Sequence, residues 1–336
     1  MAPQEAVIDG PYFEDLRHGQ RFEDSPGLTL TDGLAAAHRA IVGGRLPLAL
    51  DSELSRRVLG TGPALAAPNL AWDVAIGQST TATHTVVGNL FYRGVVFRRA
   101  PRLGDTLRTV TEVVGLRQNS RRPGRAATGL AALRVSARDS GDRPVLDFYR
   151  CAMLPLRDSD LETGHADDLS AIGADPTADE LARVAADWDL DAYRAGTRAG
   201  TARGLAAGQR FRVAGGDVVS NAPELARLTL NVAKVHHDET GGKAGRLVYG
   251  GHTIGIALHQ ATRALPGMVT VVGWHGCDHT GPVGEGDTLT SVIEVERTVP
   301  ADRGGTLAHL RSRVSASRAD GPAAEVLDWR FVALLA

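Results

Sequence analysis

The last third of the chain alternates apolar and polar positions with period two. "GDTLTSVIEVERTV" (286–299) is the longest such run, and "LAHLRSRVSASR" (307–318), "AEVLDWRFVALL" (324–335) and 269–276 are strand-like as well. Two helical stretches precede them. "SNAPELARLTLNVA" (220–233) offers Asn221 as N-cap with Glu224 three residues on, and Pro223 in the first turn, where a missing N–H costs nothing. The second helix, 251–265, follows a Gly-Gly pair and carries Ile254, Ile256, Leu258 and Ala261. Helices followed by a meander of long strands predict an α+β fold with a helix against one face of an antiparallel sheet.

The chain also repeats itself. "GQRF" occurs at 19–22 and 208–211, "GDTL" at 104–107 and 286–289, and "VSA" at 135–137 and 314–316. "VLDFYRCAML" (145–154) parallels "VLDWRFVALL" (326–335). Four matches in one order at nearly constant offset indicate a tandem duplication. The division is an N-terminal half over 1–156, a linker over 157–200 and a C-terminal half over 201–336. The linker is rich in Asp, Gly and Ala without a sustained apolar face, which predicts one or two short helices draped over the surface.

Composition narrows the function classes. The chain has 336 residues, 43% hydrophobic and 23% charged, with net charge −2. That balance leaves no electrostatic footprint for nucleic acid. Apolar stretches are short and broken, so no membrane span is expected. Acidic residues and no apolar core at the start argue against a signal peptide, and two cysteines, Cys151 and Cys277, fit a reducing cytoplasm.

The motifs resemble those of the MaoC-like double hot-dog (R)-specific enoyl-CoA hydratases and dehydratases. "PVGEGDTL" and "RAPRLGDTL" match the family's turn, "VYGG" takes the place of its His-Gly motif, and "NVAKVH" that of its Asp-x-Asn-Pro-x-His motif. "YFEDLRHGQRF", "NLFYRGVVF", "NVAKVHHD" and "RLVYGGH" look like the mesaconyl-CoA hydratase (β-methylmalyl-CoA dehydratase) branch. The resemblance covers all but the linker. It implies that each half is a curved antiparallel sheet wrapped around a central helix. It also implies reversible hydration of an α,β-unsaturated acyl thioester, borne by CoA or a carrier protein, without a cofactor. A mesaconyl- or β-methylmalyl-type diacid is the acyl group this branch suggests. One departure stands out: Asn231 occupies the position of the family's aspartate, and an amide cannot act as a base.

Six of the eleven histidines fall between 236 and 279. None shows the helical i, i+4 spacing with a nearby carboxylate that zinc sites favour, so no metal is expected. An Asn231–His236 pair can hold a water, with His236 taking its proton, and this reading is favoured over a surface or capping role for His236 just past a helix. His237 is expected to point the other way. Gly250 and Gly251 at a helix N-terminus offer free N–H groups to a thioester oxygen that gains charge, or serve only a tight turn. His252, in the first turn, is expected to be neutral and either to touch substrate or to fix the turn. Tyr249 and His279 are placed beside the pocket, and His275 is a weaker candidate. Lys234 and Arg246 are expected to grip a substrate carboxylate, unless they are ordinary solvated charges. The first half lacks a matching constellation and is expected to shape the acyl pocket, with a homo-oligomer (a dimer) as the assembly. A hot-dog thioesterase and a non-catalytic acyl-thioester-binding module are the rival functions. The first would need a carboxylate that the sequence does not show at the expected helix position.

Overall fold

The alternating runs of each half become four long strands. In the first half these are β1 (Gly88–Phe97), β2 (Thr106–Gln118), β3 (Thr128–Arg138) and β4 (Pro144–Pro155). In the second they are β5 (Met268–His279), β6 (Thr288–Pro300), β7 (Thr306–Ser317) and β8 (Ala324–Leu335). The structure, a computed structural model, describes residues 9–197, 204–239, 245–318 and 321–336. The first eight residues of the leading segment, the 200/201 junction and part of the glycine-rich loop after Glu239 lie outside the described residues.

The eight strands form one antiparallel sheet in the order β2-β3-β4-β1-β5-β8-β7-β6. The halves join where β1 pairs with β5, Tyr92 opposite Cys277 and Val95 opposite Trp274. Helices α1 (Asp32–Val42) and α2 (Pro68–Gln78) precede the strands of the first half, α3 (Ala222–Leu228) and α4 (Gly250–Ala264) those of the second. This is the α+β double hot-dog architecture, and each of the four strand-like runs of the second half forms a strand, with Gly286, Asp287 and Arg318 left just outside.

The duplication is visible atom by atom. Gly104 and Gly286 both take φ near +90°, a conformation that suits glycine, and their N–H groups donate to Leu30 and Val219 carbonyls at 2.8 Å each. Gln78 Nε2 donates to the Leu107 carbonyl at 2.9 Å, and Gln260 Nε2 to the Leu289 carbonyl at 2.8 Å. The two glutamines therefore align α2 with α4, pairing Pro68 with Gly250, Leu70 with His252, and Asp73 with Gly255.

Every residue of α2 is buried, because sheet and second half enclose it on all sides. Trp72 from α2 meets Trp274 of β5 edge-on at 4.7 Å, and Trp274 meets Trp329 of β8 at 5.4 Å. One core thus spans both halves, with the aromatic rings crossing the join.

Two sequence expectations need correction. The segment after β4 does form two short helices, Ala178–Arg183 and Leu190–Gly196, but it is not merely draped. Leu181, Trp188, Leu190 and Tyr193 are buried against Val269, Val272 and Leu334, a sparse set of anchors with no helical period to reveal them. The helix expected over 220–233 is only Ala222–Leu228. Leu230 at φ +60° turns the chain out of the helix, and Asn221, itself left-handed, makes no cap bond. The first-turn N–H of Ala222 is met instead by the Glu285 carboxylate at 3.2 Å.

Candidate active site

A cavity of about 290 Å³ opens where the end of α3, the start of α4 and the first half converge. Its position follows from one close approach. A Cβ on Gly77 of α2 would lie 1.9 Å from the Thr229 carbonyl oxygen and 3.2 Å from Asn231 N, so glycine lets the second half's backbone rest on the first half's helix. The loop beyond is pinned there as well. Val232 N donates to Thr80 Oγ1 at 2.9 Å, and Lys234 N to the His84 carbonyl at 3.0 Å.

Asn231 therefore lies past the helix, in a fixed loop, rather than in its last turn. Asn231 lines the cavity; its Oδ1 accepts from Ala233 N at 3.0 Å, and its Nδ2 is buried with no partner among the described residues. His237 does point away from the cavity: its Nε2 donates to the Asn231 carbonyl at 2.7 Å and holds this loop. His236 lines the cavity with its Nδ1 2.9 Å from the Leu247 carbonyl oxygen. A carbonyl only accepts, so Nδ1 carries the proton and Nε2 keeps its lone pair. Burial lowers the His236 pKa to about 4, with the nearby Arg150 charge adding to the effect.

Tyr249, Gly250 and His279 complete this wall. The Tyr249 ring lies 5.6 Å from that of His236, and its hydroxyl donates to the Asp73 carbonyl at 3.2 Å. A Cβ on Gly250 would meet His279 Nε2 at 2.6 Å, so only glycine admits that histidine against the helix start. His279 is neutral near pH 7, since burial lowers its pKa to about 4, and its Nε2 has no partner among the described residues.

Four of the expected residues lie elsewhere. The helix turns 100° per residue, so Gly250 and Thr253 share the cavity face while Gly251 and His252 turn inward. A Cβ on Gly251 would strike Asp73 Oδ1 at 2.1 Å, which makes this glycine a packing requirement. His252 is fully buried, and neither ring nitrogen has a partner among the described residues. Lys234 is exposed and pairs with Asp9 at 3.2 Å. Arg246 pairs with Glu239 at 2.7 Å and with Glu285, outside the cavity. His275, the weaker candidate, bonds His309 at 2.8 Å away from the site.

The first half is richer in polar groups than its sequence suggested. Asp73 on α2 and His38 on α1 form a buried pair at 2.7 Å behind Tyr249. Ile76, Thr80, Tyr92 and Arg150 contribute directly to the cavity wall. Arg150 was legible in one respect: it puts a charge into an apolar run where the repeat has Phe331. Among the described residues no cluster of His, Cys, Asp and Glu could hold a metal, and no helix is long and apolar enough to cross a membrane.

Fold and site together define a double hot-dog protein with a histidine–amide cavity at the junction of its halves. The chain is 54% identical to a conserved hypothetical protein from Mycobacterium tuberculosis whose solved structure has a double hot-dog fold, over 97% of this chain and 98% of that one, with a TM-score of 0.89. It is 28% identical to mesaconyl-CoA hydratase from Cereibacter sphaeroides, over 90% of this chain and 88% of the relative. It is 26% identical to beta-methylmalyl-CoA dehydratase from Chloroflexus aurantiacus, over 85% and 82%. The fold matches that of a MaoC domain protein dehydratase from the latter organism with a TM-score of 0.83 at 23% identity, over 99% of both chains. No family model matches the chain. The chain belongs with the double hot-dog proteins and is similar to the MaoC-like hydratases and dehydratases among them.

Proposed function

We propose that the protein is a hydro-lyase that reversibly hydrates an α,β-unsaturated acyl-CoA thioester. One observation carries the reading. His236, with its Nε2 lone pair free of the Leu247 bond, and Asn231, whose Nδ2 has no partner among the described residues, line the same cavity beside the N-terminus of α4. The names of the two curated relatives, a hydratase and a dehydratase, support it.

In the hydration direction Asn231 Nδ2 donates to a water and orients it, and His236 Nε2 takes that water's proton. The hydroxide adds to the β-carbon, and the double-bond electrons move through the α-carbon onto the thioester oxygen. The Gly250 N–H and the positive end of the α4 dipole stabilise that oxygen. The imidazolium of His236 then returns the proton to the α-carbon, so the enzyme ends as it began. His279 and Tyr249 bound the space the acyl group fills. The thioester acidifies the α-carbon by itself, which leaves no task for a cofactor.

A thioesterase acting through a carboxylate is disfavoured, because no Asp or Glu lines the cavity among the described residues. We place the activity in the cytoplasm, where CoA thioesters are available. A screen of enoyl-CoA thioesters, following loss of the conjugated enone absorbance, tests the reading. Release of free CoA instead, or no turnover of any enoyl-CoA, would overturn it.

A further inference from the structure

The start of α4 and the end of β5 meet at one spot of the cavity wall. A Cβ on Gly250 would lie 2.6 Å from His279 Nε2 and 2.7 Å from its Cε1, so the imidazole edge rests against the first residue of the helix. His279 makes no hydrogen bond among the described residues, and its Nε2 is buried. The Gly250 N–H, an orphan donor of the helix start, meets no acceptor among them either. Leaving two such groups unmet side by side costs stability that packing alone would not spend.

The duplication shows what packing alone puts there. Arg98 N donates to the Val145 carbonyl at 2.9 Å and Thr280 N to the Val326 carbonyl at 3.0 Å, which aligns Phe97 with His279. Pro68 aligns with Gly250. Phe97 is 1% exposed, and Pro68, which has no N–H, is buried. In the first half the two places therefore hold an apolar ring and a residue that cannot donate. In the half that bears His236 and Asn231, both places carry a nitrogen able to donate. Gly251 turns inward, so it supplies no second backbone donor to this wall.

We propose that His279 donates a hydrogen bond from Nε2 to the thioester oxygen, beside the Gly250 N–H, and forms the second arm of an oxyanion site. This rests on the hydratase reading of the same cavity and makes His279 a catalytic residue that touches the substrate. The ring acts while neutral. Burial lowers its pKa to about 4, with His236 close by, and the positive end of α4 opposes an imidazolium as well. A neutral imidazole with its proton on Nε2 gives a hydrogen bond that strengthens as the oxygen gains charge. It keeps that proton throughout, so the exchange between water, His236 and the α-carbon stays balanced.

A saturated thioester tests this without turnover. Butyryl-CoA, isotope-labelled at the thioester carbonyl carbon, reports hydrogen bonds to its oxygen through the carbonyl stretch in infrared difference spectra. Binding to the wild type should move that stretch to lower frequency than in the free ligand. His279→Leu should lose part of the shift, leaving the share of Gly250. His279→Gln, whose amide N–H reaches about as far, should keep most of it. His279→Phe installs the repeat's own residue and gives the same comparison should the leucine variant fail to fold. With an enoyl-CoA that turns over, His279→Leu should lower kcat by about a hundred- to a thousandfold with little change in KM, and His279→Gln should restore part of the loss. No shift in the wild type overturns the proposal, and so does a folded His279→Leu or His279→Phe with the full shift or with wild-type kcat. A shift that depends on His279 without turnover of any enoyl-CoA would sink the hydratase reading and leave the contact between His279 and the thioester standing.

Discussion

The Nδ1 atom of His236 lies 2.9 Å from the carbonyl oxygen of Leu247, and this bond decides which ring nitrogen is basic. It fixes the tautomer with Nε2 unprotonated, while burial keeps the ring neutral. A histidine so held can accept a proton from a water that the Asn231 amide orients.

The first prediction concerns that base. His236→Ala should lower kcat/KM for enoyl-CoA hydration by about two to four orders of magnitude, with an unchanged melting temperature to within a few degrees. A pKa near 4 places the active, neutral form above that value. The wild-type rate should therefore stay level from pH 8 down to about pH 5 and fall as the imidazolium forms. A rate limb centred near the ordinary histidine pKa of 6.5 would contradict the assignment.

Asn231→Asp keeps an oxygen for the Ala233 N–H and turns the free donor into an acceptor. It should fold normally and add an acid limb to the rate profile as the new carboxylate titrates. Asn231→Ala should lose about a hundredfold in kcat, as removal of a single polar donor does at other sites. Near wild-type kcat in Asn231→Ala would reduce this residue to a loop cap.

His252 sits where the repeat has Leu70, and both positions are fully buried. Its pKa is lowered to about 4, so the unfolded chain binds its proton more readily than the native one. Stability is therefore lost as pH falls from about 6.5 toward 4, the window between the unfolded and folded values. His252→Leu should flatten that decline and hold or raise the melting temperature at pH 5, because two unsatisfied nitrogens disappear. Loss of hydration activity in a well-folded His252→Leu would return this residue to the chemistry.

Asp73 and His38 form a buried pair with no exposure to share the cost of breaking it. Asp73→Ala alone should destabilise the protein by about 3–5 kcal/mol in urea unfolding. The double variant with His38→Leu should recover part of that loss, because no lone ionisable ring is left behind. Additive losses would mean that the two side chains do not depend on each other.

Gly77→Ala tests how the halves set the site. A methyl group there meets the Thr229 carbonyl at 1.9 Å, so the loop bearing Asn231 must shift. The expected result is a fall in kcat larger than the rise in KM, since a misplaced water-orienting amide harms the chemical step first. Wild-type kcat in a folded variant would show that the loop can move without consequence.

By itself the sequence determined the duplication, the α+β class and the second-half strands, because period-two alternation and repeated turns are local signals, while the double hot-dog arrangement entered through the resemblance of its motifs to a known family. It also placed the Asn231–His236 pair and Gly250 together, since each lies at an element end that the chain brings around. Several things waited for the tertiary structure. Which face of α4 turns toward the cavity separates Gly250 and Thr253 from Gly251 and His252, and the turn of the helix against its neighbours sets that. Lys234 and Arg246 lie near the site along the chain, but Asp9, Glu239 and Glu285, distant or loop-borne carboxylates, claim them. Arg150 comes from 81 residues before Asn231 and enters the cavity only because β1 and β5 join the two halves into one sheet. Local pattern fixes periodicity and turns; the partner of a buried charge is a long-range fact, set by packing between segments that the sequence holds apart.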